Sequence, residues 1–158
     1  MSLPIWLNAG WLQRHQTSPE EIRDLWMIAA RDLQDAASGG ISHDWQYGIA
    51  YNAALKLCTI LLYAEGFKPA KGTLAHFRVL SALPHFRVLS ALPHILGALR
   101  QGDADYLDGC RQKRNTVEYD YVGGASKAEA AELIAFGHEL RTEVLNWLKA
   151  KHRGLAPE

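Results

Sequence analysis

The residues best suited to chemistry run Arg111-Gln112-Lys113-Arg114-Asn115-Thr116-Val117-Glu118-Tyr119-Asp120-Tyr121. On an α-helix, Arg111, Arg114, Asn115, Glu118 and Tyr121 fall within one wide sector, because residues three, four and seven apart are neighbours. Leu107, Cys110, Arg114 and Val117 also follow helical spacing, so Arg114 stands on or beside an apolar stripe. A guanidinium keeps its proton and has five donors to satisfy. Beside a core it needs a carboxylate, carbonyls or a phosphate. Two readings stay open. In one, Glu118 closes on Arg114 at i,i+4 or on Arg111 at i,i+7, and the segment is structural. In the other, Arg111, Arg114, Asn115, Glu118, Tyr119 and Tyr121 line a cleft for RNA or another phosphate ligand. A protein partner or a dimer contact is a further use of the same face.

The chain that positions them has 158 residues, 48% hydrophobic and 22% charged, which suits one soluble domain over 1–158. Lys plus Arg equals Asp plus Glu at 17 each, so attraction to a polyanion must come from a local patch. The two cysteines, Cys58 and Cys110, fall on apolar helix faces and read as buried thiols. The start, Met1-Ser2-Leu3-Pro4-Ile5-Trp6, has no basic stretch followed by an apolar run. No segment reaches the ~18 apolar residues of a membrane span. The expectation is a cytoplasmic protein without membrane contact.

Residues 1–17 read as an irregular arm, clamped to the body by Ile5, Trp6 and Trp11. A first helix opens at Ser18, with Pro19 and Glu21 completing a capping box, and ends at Gly39-Gly40. A second, from Ser42 to Gly66, has a wide apolar face and should be central. Tyr47 and Tyr51 share one side of it, and Asn52 reads as a bundle asparagine with satisfied bonds or, alternatively, a site residue. A third spans about Thr73 to Arg100, and a fourth follows Asp103 or Asp105 to about Tyr119. Gly123-Gly124 breaks the chain before a fifth, boxed by Ser126 and Glu129. Its basic end, Lys149 to Arg153, suits the helix dipole and reads as solvated. No segment alternates long enough to argue a strand. The expected fold is all-α, an up-down bundle of four to five helices.

The third helix contains a tandem duplication over 76–93: His76-Phe-Arg-Val-Leu-Ser-Ala-Leu-Pro84, then the same nine residues from His85 to Pro93. Nine residues at roughly 100° each put the copies about half a turn out of phase. The second copy continues in phase with Leu96 and Leu99, so it should take the core position. The first should be displaced, with a break at Pro84. His76, His85 and His94 recur nine apart, so on a continuous helix His76 and His85 face opposite ways and cannot share an ion. They read as surface or cap histidines, and no metal or cofactor is expected.

The segment from Arg114 resembles the signature of the HEPN superfamily: arginine, four residues, histidine, one residue, tyrosine. Arg114 matches the arginine, Tyr121 the closing tyrosine, and Tyr119 occupies the histidine position. The Ala50-Tyr-Asn-Ala-Ala54 run, the Gly66-Phe-Lys-Pro69 loop and a final helix opened by Ser126 are similar too, from about Ser18 to Leu148. The resemblance implies an HEPN-like helical bundle, usually a homodimer, with the motif lining a cleft at the two-fold axis. In active members it implies metal-independent RNA cleavage, with arginine on the phosphate and histidine moving the proton. Tyrosine titrates near 10 and carries protons poorly at neutral pH. The expectation is therefore weak or absent catalysis and binding of RNA or a nucleotide. A protein-interaction role, as half of a toxin–antitoxin pair with an antitoxin or nucleotidyltransferase partner, is the alternative. A metal-independent ribonuclease using Tyr119, His43 or His138 is the other.

Overall fold

A computed structural model describes residues 3–70, 77–119 and 122–157, with the backbone alone at 77–84 and 117–119. The order is α1 (Leu3–Asn8), β1 (Leu12–Arg14), α2 (Pro19–Ala36), α3 (His43–Ala64), β2 (Phe67–Pro69), α4 (Phe77–Leu96), α5 (Gln101–Tyr119) and α6 (Lys127–Lys151). Single 3₁₀ turns lie at Ala98–Arg100 and Arg153–Leu155. The fold is an all-α bundle.

Local chemistry explains the helix starts. Ser18 Oγ accepts the Glu21 amide, and Ser42 Oγ accepts the Trp45 amide. At α6 the box is complete, with Ser126 Oγ accepting from Glu129 N and Glu129 accepting from Ser126 N. At α2 the Glu21 carboxylate instead pairs with His15, which ties the preceding strand to the helix start.

Helix α3 is the axis and packs against α2, α4, α5 and α6. Ala50, Tyr51, Ala53, Ala54, Leu57, Ile60, Leu61 and Leu62 are fully buried along it. Burial on nearly every side is what its broad apolar face requires. Asp103 lies within electrostatic reach of Cys58, while Arg114 lies against Gly48, so α5 runs antiparallel to α3. Both cysteines are buried and free.

The structure departs from the sequence expectation at several points. The arm before α2 is not irregular: it holds α1 and β1, and β1 pairs antiparallel with β2, Gln13 opposite Lys68. Strands of three residues are too short to show a period. Trp6 is buried and Trp11 packs on it at 5.7 Å, but Ile5 is exposed and clamps nothing. The expected break at Pro84 is also absent, since α4 runs unbroken from Phe77 to Leu96. A proline removes one donor and crowds the preceding turn, but the residues on either side still continue the ladder. The second copy does take the core position, with Val88, Leu89, Ala91 and Leu92 buried. The first copy's side chains and His76 lie outside the described residues. Among the described residues no helix is long and apolar enough to cross a membrane.

Candidate functional site

Asp44, Gly48, Asn52 and Lys56 stand four apart on α3 and so form one stripe. Helix α5 lays Arg114 against this stripe. A Cβ at Gly48 would sit 4.0 Å from Arg114 Cγ, an ordinary contact distance, so the arginine stem runs beside this turn of α3. The Arg114 guanidinium lies 5.6 Å from the centre of the Tyr51 ring, and its Nη1 donates to Asn115 Oδ1 at 3.3 Å. Beside it opens a cleft of about 250 Å³, lined by Ser42, Asp44, Trp45, Gly48, Ile49, Asn52, Arg114 and Val122.

Asp44 fixes one wall. Its carboxylate accepts the Gly123 amide at 2.6 Å and the Ala125 amide at 3.0 Å. These two bonds hold its pKa below the usual carboxylate value, and it stays ionised at neutral pH. Trp45 forms the exposed rim, with 63% of its surface open.

Between α3, α4 and α5, Arg114, Lys56 and Arg111 lie within electrostatic reach of His85. The His85 ring lies 6.4 Å from Tyr51. Burial lowers the His85 pKa first, and the charges of Arg114, Lys56 and Arg111 lower it further. Arg111 Nε donates to Asp108 at 2.8 Å, and its guanidinium lies 6.0 Å from the Phe86 ring. The Tyr51 hydroxyl is buried with no hydrogen-bond partner among the described residues. Burial raises its pKa, against the opposing pull of Arg114 and Arg111. Lys113 points away, to Glu129 and the Tyr47 ring. Burial and these cations together favour the neutral imidazole.

Of the residues singled out in the sequence, Arg111, Arg114 and Asn115 come together on α5. Glu118, Tyr119 and Tyr121 lie outside the described residues, as far as their side chains go. So does any Arg114–Glu118 pair. His43 is exposed and bonded to Gln46 at 2.9 Å, and His138 is exposed on α6. Asn52 is not a satisfied core asparagine: it lines the cleft, and its amide makes no hydrogen bond among the described residues. His85 is not a surface histidine but a half-buried one beside Tyr51. Lys56, Asp44, Trp45 and Asp108 join the site without standing out in the sequence. The signal for the first two was the polar stripe at fours on an otherwise apolar helix. For Asp108 it was its place three before Arg111. Among the described residues no group of His, Cys, Asp and Glu is arranged to hold a metal ion.

Comparison with protein-family models, with curated proteins and with solved structures finds no match for this chain.

Proposed function

We propose that this chain is an HEPN-like domain that binds a phosphate-bearing ligand, RNA or a nucleotide, at the cleft beside Arg114, with weak or absent catalysis. One observation supports it most. Lys56, Arg111 and Arg114 come from two helices into reach of one half-buried imidazole, next to an open cleft. Cations gathered beside an open cleft favour an anionic ligand there. Arg111 is also paired with Asp108. The likeness of the Arg114 to Tyr121 segment to the HEPN pattern points the same way. It also carries the expectation of a homodimer.

The test is binding of a labelled single-stranded RNA across a salt series. Arg114→Ala should weaken binding at every sequence tried and reduce the salt slope by about one phosphate contact. An unchanged affinity and slope would sink the reading. The same RNA should stay intact on prolonged incubation with the wild-type protein.

Two other readings have an observation each. A metal-independent ribonuclease needs a proton carrier, and among the described residues His85 lies under the arginines' influence. Robust cleavage lost in both Arg114→Ala and His85→Ala would favour that enzyme. A protein-interaction role, as half of a toxin–antitoxin pair, draws on the exposed Trp45 and Val122 at the cleft rim.

A further inference from the structure

We propose that the cleft between the start of α3 and Arg114 is a nucleobase pocket, with Trp45 as the stacking platform and Asp44 and Asn52 reading the base edge. This rests on the phosphate reading above and specifies the rest of the ligand.

The lining argues it. Trp45 stands in the first turn of α3 and lines the cleft while most of its surface is open. A large aromatic face open at a cleft is a platform for another flat ring, and stacking accepts any base. Gly48 and Ile49 give an apolar floor with a low profile. The volume, about 250 Å³, suits one planar ring system and its sugar rather than a duplex.

Asn52 and Asp44 bring polar side chains to the lining. Asn52 carries a donor and an acceptor, neither used in a hydrogen bond among the described residues. Each Asp44 oxygen takes one backbone amide, from Gly123 or Ala125, and a carboxylate oxygen can accept two bonds. The remaining capacity favours a ring-borne amino group and disfavours a second phosphate. The base is therefore one with an exocyclic amine, adenine, cytosine or guanine, rather than uracil. Arg114 lines the same cleft, so the phosphate of that nucleotide meets the guanidinium. The nucleotide is either free or one unit of a single strand.

The experiment is calorimetric titration of the full chain with AMP, UMP, ribose 5-phosphate and adenosine. AMP should bind at least roughly tenfold more tightly than ribose 5-phosphate, since one stacked base contributes a factor of about ten to a hundred. AMP should also exceed UMP, and that preference should vanish in Asp44→Asn. Trp45→Ala should bring AMP down to the ribose 5-phosphate level. Trp45→Phe should keep most of the gain. Trp45 is 63% exposed, so neither variant touches the core.

Equal binding of AMP and ribose 5-phosphate, both lost in Arg114→Ala, would overturn the base pocket and leave the phosphate reading standing. Adenosine binding as tightly as AMP would do the reverse. No binding by any of the four would overturn both. A short oligoadenylate binding more tightly than AMP assigns the pocket to a strand, and one binding no more tightly assigns it to a free nucleotide.

Discussion

His85 is where the charge balance of the site can be read directly. Its pKa lies below the ordinary 6.5 because of burial first, then Arg114, Lys56 and Arg111. The unfolded chain therefore binds this proton more readily than the folded one. His85 costs no stability above pH ~6.5 and destabilises progressively as pH falls below it, until the folded pKa is passed. A proton–carbon NMR titration should show one imidazole titrating below 6.5. Arg114→Ala should move it up, and saturating inorganic phosphate should do the same. A resonance that ignores both would remove His85 from the site. Gly48 gives a second check at this scale. The added methyl would meet Arg114 Cγ only at ordinary contact distance, 4.0 Å. Gly48→Ala should thus raise stability by up to about 1 kcal/mol through helix propensity, measured by urea unfolding, with ligand binding retained. Gly48→Leu should displace the arginine stem and weaken binding.

At the scale of elements, the joint between α5 and α6 hangs on Asp44. Its carboxylate receives the Gly123 and Ala125 amides, so the start of α3 anchors the turn that leads into α6. Asp44→Ala should speed hydrogen exchange at those two amides far more than in the buried middle of α3. Because the folded pKa is lowered, the contribution of Asp44 is full above its ordinary 3.8 and is lost as pH falls through the lower folded value. Exchange at Gly123 that is unchanged in the variant would show that the anchor lies elsewhere. Much of the element map is legible in the sequence. Ser18, Ser42 and Ser126 announce their helices because a cap is a bond between residues three apart. The β1–β2 pair is illegible because its partners, Gln13 and Lys68, have no local relation. The site divides the same way. Arg111, Arg114 and Asn115 share one helix face and can be read together. Trp45, Asp44 and His85 join them only through packing of α3, α4 and α5.

For the whole molecule, the duplication gives the sharpest test. The second copy fills the core through Val88, Leu89, Ala91 and Leu92, while α4 continues back through Pro84 to Phe77. Deleting residues 76–84 should leave a folded protein with an unchanged or higher Tm, because one internal proline goes and the buried copy stays. A deletion variant without a cooperative transition would show that the first copy is structural. The short ribbon of β1 and β2 has a consequence for how the molecule reaches this shape. Residues 3–14 dock on partners far along the chain: Lys68 by strand pairing, His94 through the Trp6 ring at 4.9 Å, and Arg87, which bonds the Trp11 carbonyl 76 positions away. Closing so long a loop is slow compared with helix formation. During synthesis this segment leaves the ribosome before its partners exist, so it must wait, with Trp6 in water, until α4 has emerged. Trp6 fluorescence should therefore follow the arrival of α4, and the pair of α2 and α3 should be in place before that signal changes.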